Sequence, residues 1–214
     1  MQDLAQTLLD VPLPGSPEDW ATLANRCYSD TPTIGVESSA ARACVYAAGQ
    51  VVGIPGTNNV ACWLADLNFD TVPVGVLGDV HEGFYKAFCT IESELLELAP
   101  THVVGHSEGA ALAIIYAAHL CAAGKPPQEV WAWEPPRVST DNVLRAFFAH
   151  YPTKLYLFHH GHDIVPDVPR VFGDWQHPAD LVSFGVAAHD YANVSDHLLD
   201  PGIIRDAAGL KIGA

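Results

Sequence analysis

Between Thr101 and Gly124 the chain reads "THVVGHSEGAALAIIYAAHLCAAG". Its first six residues form an apolar run too short for a helix. They lead into a long Ala/Leu/Ile stretch of helical character, closed by Gly124. A buried strand that passes directly into a helix is one half of a βα unit, and this constrains the fold more than any other feature. The alternation recurs along the chain. "EVWAWEPP" (Glu129 to Pro136) and "TKLYLFHH" (Thr153 to His160) read as buried strands. Between them, "STDNVLRAFFAHYP" (Ser139 to Pro152) reads as a helix with a Ser/Thr cap. Upstream, Ala43 to Gly56 reads as two short strands around Gly49-Gln50. Asn58 to Phe69 reads as a short amphipathic helix, and Gly83 to Pro100 as a longer one. Residues 1–30 hold one or two helices, one starting at "SPEDW" with Ser16 as cap. Strands alternating with helices predict an α/β fold, a mostly parallel central sheet with helices on both faces. Ligand sites on such sheets lie beyond the carboxyl ends of the strands.

Length and charge narrow the function. The 214 residues suffice for one hydrophobic core, so residues 1–214 are read as a single domain. Formal net charge is −15, from 10 Lys+Arg against 25 Asp+Glu. That argues against a nucleic-acid partner, which asks for a basic surface. No run approaches the roughly 18 apolar residues of a membrane span. The first 20 residues lack a basic, apolar leader. Cytoplasmic location is the default expectation, with a secreted mature form as the alternative. Five cysteines, none spaced CxxC, read as reduced and mostly buried thiols rather than a disulfide framework or zinc knuckle.

The chemistry sits at the strand ends. Gly105-His106-Ser107-Glu108-Gly109 is a GxSxG placed where a strand turns sharply into a helix. There the serine hydroxyl is exposed and the first helical N–H groups point at the same spot. The bland alternative is a glycine-rich packing turn. A serine needs a base, and this architecture orders the partners Ser, acid, His. Asp163, just past "TKLYLFHH", is the candidate acid, with Asp167 as rival. His177, His189 and His197 are the candidate bases.

These motifs, taken together from about Val51 to Leu199, resemble the lipase class 3 family, the fungal triacylglycerol lipase-like branch of the α/β-hydrolases. "GIPGTNNVACWLADLNFD" is similar to that family's loop and lid, and "VHEGFYKAF" to its His-x-Gly-Phe helix start. "VVGHSEGAALA" is similar to its nucleophile elbow, and "EPPRV" to its Pro-Arg-Val turn. "HDIVPDVP" is similar to its acid loop, and "SDHLL" to its base segment. The resemblance implies an α/β-hydrolase fold and a catalytic triad of Ser107, Asp163 and His197, preferred to His189 because "HDY" is the weaker match. It implies Thr57 and Glu108 as oxyanion donors, and a lid over residues 58–67. It further implies a carboxylic ester hydrolase, esterase or lipase, that works through an acyl-enzyme without cofactor or metal. An acyltransferase with the same triad, or a silent binding protein on this scaffold, are the alternatives.

Glu108 departs from the family, which carries an apolar Leu there. The second oxyanion donor is its main-chain N–H, so the side chain is free to vary. A carboxylate about 6 Å from the oxyanion, at an effective dielectric of about 20, would still cost roughly 2–3 kcal/mol. Glu108 is therefore expected to point away, toward Arg137 or Lys86. Ala110 and Ala111 replace a glycine-rich pair, and 34 residues separate Asp163 from His197. The lid is short, with the acidic Asp66 and Asp70 at and just past its end, which favours esters of short to medium acyl chains and only transient contact with a lipid interface. "HHGHD" (His159 to Asp163) carries metal-ligand residue types. Neighbours on a strand face opposite ways, however, so it reads as a loop supporting the site.

Overall fold

The computed structural model describes residues 11–66, 69–169 and 174–212. The first of the two possible N-terminal helices, and Leu67 of the lid, fall outside these.

A six-stranded sheet is built from β1 (Cys44–Tyr46), β2 (Val51–Ile54), β5 (His102–His106), β6 (Glu129–Trp133), β7 (Lys154–His160) and β8 (Leu181–Phe184), in that spatial order. β1 runs antiparallel to β2, and every later pairing is parallel. A separate hairpin pairs β3 (Thr71–Pro73) with β4 (Asp79–His81). Strand alternation divides the core in two. Val52, Val103, Val130, Ala132 and Leu157 face one layer. Val51, Val104, Trp131, Trp133 and Phe158 face the other.

The first layer holds α3 (Glu82–Cys89), α4 (Glu92–Leu96), α5 (Glu108–Ala122) and α6 (Val143–Phe148). α5 is buried nearly all round, which accounts for its unbroken Ala/Leu/Ile character. The opposite layer holds α1 (Pro17–Arg26) and α7 (Ile204–Ala207). Ser16 caps α1 by accepting the Asp19 N–H at 3.2 Å. Trp20 then stacks on Trp131, centroids 5.3 Å apart, and Trp133 on Phe158 at 4.1 Å. α2 (Val60–Asp66) lies outside both layers and buries no residue fully; Trp63 is its anchor, stacked on Phe84 at 6.0 Å. Cys27, Cys44 and Cys121 are buried, Cys62 and Cys89 are exposed, and all five are free thiols.

Two expectations need correction. The helix expected over Gly83 to Pro100 is two helices. The β-branched pair Thr90-Ile91 interrupts it, and the Thr90 hydroxyl donates to the Ala87 carbonyl at 2.7 Å. The helix expected from Ser139 starts only at Val143. Ser139 is held by bridges to Val80 and Gln176, and the Asp141 carboxylate accepts the Val143 N–H instead.

Candidate active site

The parallel register brings the ends of β5, β6 and β7 side by side. Ser107, Glu134 and Asp163 follow those three ends. Ser107 takes φ 59°, ψ −133°, a strained conformation for a side-chain-bearing residue. Its N–H donates to the Trp133 carbonyl at 2.9 Å. The glycines on either side permit the turn by close approach. A Cβ on Gly105 would lie 2.3 Å from the Gly109 carbonyl oxygen, and one on Gly109 would lie 2.1 Å from that of Ile54.

Asp163 and His197 are brought together across 34 residues. His197 Nδ1 donates to Asp163 Oδ2 at 2.5 Å, and Asp163 Oδ1 accepts the Val165 N–H at 3.0 Å. That contact assigns the proton to Nδ1 and leaves Nε2 as the basic nitrogen. His197 Nε2 and Ser107 Oγ are both buried with no hydrogen-bond partner among the described residues. Ser107 is 0% exposed and His197 1%.

A second chain of hydrogen bonds supports this pair. The His106 ring packs against the His197 ring, centroids 4.5 Å apart, and its Nε2–H donates to the His197 carbonyl at 2.9 Å. His106 Nδ1 therefore accepts, and takes the Tyr28 hydroxyl at 2.7 Å. Tyr28 in turn accepts the Gly56 N–H at 3.0 Å. Burial, reinforced by the neighbouring His197, keeps His106 well below the usual imidazole range, hence neutral. Gly56 also touches the turn that carries Ser107: a Cβ there would meet Ser107 Cβ at 2.8 Å. Thr57 follows Gly56, and Glu108 opens α5. The N–H groups of Thr57 and Glu108 have no partner among the described residues.

The loop carrying His197 is latched through its neighbour. The Asp196 carboxylate accepts the His162 and Ala188 N–H groups at 2.9 Å and the Asn193 amide at 3.1 Å. Burial opposes ionisation of Asp196, but these bonds outweigh it and hold its carboxyl below the usual range. The Asp196 carbonyl accepts from His160 Nδ1, and His160 Nε2 meets Asp206 at 2.9 Å. Glu134 occupies the end of β6 at φ 50° and is fully buried. Its Oε1 accepts the His160 N–H at 2.8 Å. Burial, then the adjacent Asp163 carboxylate, push the Glu134 carboxyl well above the usual range.

The other candidates lie apart. His189 is exposed and stacks on Tyr191; His177 Nε2 donates to the Pro166 carbonyl; Asp167 pairs with Arg137 at 3.5 Å. His159, His160 and His162 each give a ring nitrogen to a backbone carbonyl, of Asp163, Asp196 and His189 respectively. Among the described residues no group of three His, Cys, Asp or Glu side chains is placed to hold a metal ion.

Glu108 needs a correction. It does not reach Lys86, which pairs with Glu82 at 2.9 Å, or Arg137, which pairs with Asp167. It lies with Thr57 and Arg42 along a cavity, and burial pushes its carboxyl up to about 7. Sequence reasoning does not single out Tyr28, Arg42, Glu134 or Asp196. A Glu closing the apolar run "VWAW" and the Asp of "SDHLL" are the available signals for Glu134 and Asp196. Tyr28 and Arg42 carry none of their own.

The family model for lipase (class 3) matches residues 51–173, more than half of the chain. The chain belongs to the class 3 lipase family. The matched segment contains Thr57, Ser107, Glu108 and Asp163, and it ends before His197. The secreted mono- and diacylglycerol lipase 1 of Fusarium solani is 30% identical over 143 residues, covering 59% of this chain and 41% of that protein. The secreted mono- and diacylglycerol lipase A of Penicillium cyclopium is 30% identical over 139 residues, 59% of this chain and 45% of that one. The chain thus spans less than half the length of these relatives. In fold it is similar to the Rhizomucor miehei lipase in its propeptide complex, with a TM-score of 0.62 at 19% identity over 77% of this chain and 66% of that one. It is likewise similar to the Lip2 lipase of Yarrowia lipolytica, at 0.60 and 19% over 82% of each. The fold of this lipase-family chain is accordingly that of the α/β-hydrolases. No helix among its described residues is long and apolar enough to cross a membrane.

Proposed function

We propose that this chain is a serine-dependent carboxylic ester hydrolase in which Ser107, His197 and Asp163 form the catalytic triad. The observation that carries the reading is the His197–Asp163 hydrogen bond. It leaves His197 Nε2 and Ser107 Oγ, two buried atoms that otherwise lack partners, as base and nucleophile. Ser107 Oγ attacks the ester carbonyl carbon while His197 Nε2 takes its proton. The tetrahedral oxyanion is held by the N–H groups of Thr57 and Glu108. It collapses as His197 returns the proton to the departing alcohol. Water, deprotonated by His197, then cleaves the acyl-enzyme and releases the acid. Asp163 holds the Nδ1–H tautomer and stabilises the imidazolium. One oxyanion donor contributes about 10²–10³ in rate. No step calls for a metal or cofactor.

The nucleophile is closed from solvent in this conformation, so substrate entry requires a cover to move. α2 is that cover in this reading, and among its described residues Trp63 is the one packed against the core. So short a lid favours esters of short to medium acyl chains that touch a lipid interface only transiently. The relatives are named as secreted lipases, which favours action outside the cytoplasm over the cytoplasmic default. The proposed triad and oxyanion residues all follow strands of the one sheet, which supports reading residues 1–214 as a single catalytic domain.

The test is hydrolysis of p-nitrophenyl butyrate by the wild type beside Ser107→Ala. A loss of about 10³-fold or more in the mutant is expected. Equal activity of the two proteins overturns the triad. An acyl-chain series then ranks butyrate and octanoate above palmitate, and the reverse order overturns the chain-length reading.

A further inference from the structure

Beside the oxyanion loop lies a cavity of about 380 Å³, lined among others by Arg42, Gly56, Thr57, Asn59 and Glu108. Two contacts set its position. Gly56 packs on Ser107, and Thr57 and Glu108 carry the N–H groups assigned to the carbonyl oxygen. An ester seated on those groups would direct one of its substituents toward this cavity.

The lining chemistry is unusual at one residue. Arg42 is only 8% exposed, and its Nε is buried without an acceptor. Among the described residues its guanidinium makes no ion pair and no hydrogen bond. Its Nε is closed off while its outer nitrogens stay open to the cavity, so a charge that arginine cannot shed stands there without a counterion, a position that an anionic ligand would stabilise. The groups that could compensate do not. Tyr28 faces Arg42 from the end of α1, but burial pushes its phenol up and keeps it neutral. Glu108 faces the cavity from the start of α5, and burial makes it neutral on the acid side of about 7. Glu37 lies on the exposed rim. The planar guanidinium matches a carboxylate or phosphate in shape and charge.

We propose that this cavity is a subsite for an anionic group of the substrate, a carboxylate or phosphate carried a few atoms from the scissile ester, and that Arg42 is its ligand. The inference deepens the ester-hydrolase reading and rests on it. It makes the chain selective for charged esters over neutral esters of the same size. It also gives the selectivity a pH dependence. As pH rises through about 7, Glu108 ionises beside the bound anion, so the preference for the charged ester falls.

Two probe pairs, each an anionic ester beside its neutral counterpart, separate the sources of the anion. The mono-p-nitrophenyl ester of glutaric acid against p-nitrophenyl pentanoate places a carboxylate on the acyl side. 1-Butyrylglycerol 3-phosphate against 1-butyrylglycerol places a phosphate on the alcohol side. In at least one pair the wild type is expected to favour the anion at pH 6, by tenfold or more in kcat/KM. Arg42→Gln should abolish that preference through KM, leaving kcat for the neutral partner unchanged. Arg42→Lys should keep part of it. For the glutarate pair, whose carboxylate keeps its charge over this range, the wild-type preference should shrink between pH 6 and 8, and the Glu108→Gln preference should stay flat. If neither anionic probe is favoured, or if Arg42→Gln leaves the ratios unchanged, the subsite is overturned. Hydrolysis of the neutral probes then still upholds the triad. Should Arg42→Gln fail to fold, competitive inhibition of the wild type by glutarate or inorganic phosphate at pH 6 decides the matter. Absence of that inhibition overturns the proposal. If no probe is hydrolysed, the ester-hydrolase reading fails instead. Protection of the wild type against thermal unfolding by glutarate or phosphate, reduced in Arg42→Lys and absent in Arg42→Gln, would still report the anion site.

Discussion

Glu134 places a second carboxyl beside the one that orients His197. Two adjacent carboxylates cannot both ionise cheaply in a dry site, so the pair holds one proton, and Glu134 is the member pushed upward. The consequence for stability has a definite sign. The folded state binds the Glu134 proton more tightly than the unfolded chain, whose carboxyl titrates near its ordinary value of 4.5. The contribution is therefore fully present below that value and is lost as pH rises above it. Glu134→Gln keeps the oxygen that accepts the His160 N–H but has no proton to lose. Its stability should gain on the wild type by about 1.4 kcal/mol per pH unit above 5, for as long as Glu134 stays protonated. Urea unfolding of both proteins at pH 5, 6 and 7 measures this, and parallel curves would show that Glu134 ionises freely in place. At this scale the sequence speaks through motifs. Ser107 and Asp163 are visible because elbow and acid loop carry their own spacing, and His197 because "SDHLL" does. Arg42 and Glu134 are not. Their character comes from burial against residues far away in sequence, which no local pattern records.

Among the elements, α5 is held by how close its first turn approaches β2. Gly109 lies where any side chain would strike main chain: its Cβ would stand 2.1 Å from the Ile54 oxygen and 2.5 Å from the Pro55 carbonyl carbon. Replacing glycine with alanine in a helix ordinarily gains up to about 1 kcal/mol from propensity. Here that gain is outweighed, because backbone on both sides must part. Overpacking of this kind costs about 1–3 kcal/mol and sometimes more. Gly109→Ala should therefore lower stability by about 2 kcal/mol net. It should also cut kcat, since the displaced turn carries Ser107 and the Glu108 N–H. A melting curve and a p-nitrophenyl butyrate assay check both, and a stabilised, fully active variant would contradict the packing. The same contrast explains which elements are legible. β5, α5, β6 and β7 are buried on both faces, so their apolar runs are continuous. β3, β4 and β8 are three or four residues each, and β3 and β8 are largely exposed. Their pairing partners hold them in place, and their composition gives no notice of them. The break between α3 and α4 needs only the Thr90-Ile91 pair, too weak a signal inside a pattern otherwise helical.

At the scale of the whole molecule, charge and apolar surface act in opposite directions at a lipid interface. The exposed apolar side chains Val186, Tyr191, Val194 and Leu198 lie on the segment around His197, so contact with lipid through them would bring the proposed site to the interface. Their burial is indifferent to headgroup charge. The net charge of −15 is not, and it opposes approach to an anionic surface. The repulsion acts through solvent and is screened, with a Debye length of about 10 Å at 0.1 M salt and about 3 Å at 1 M. Arg42, recessed inside its cavity, does not alter this far field, although it would favour an anionic substrate once bound. Recruitment and recognition should therefore respond oppositely to charge. Co-sedimentation with phosphatidylcholine vesicles is expected to fall several-fold when a third of the lipid is phosphatidylglycerol, and to recover in 1 M salt. Double substitution of Val186 and Leu198 by serine should weaken binding to both kinds of vesicle alike, because it removes the apolar term and leaves the charge unchanged. Stronger binding to the anionic vesicles would mean that a local basic patch outweighs the net charge. Unchanged binding of the double variant would place the lipid contact on another face.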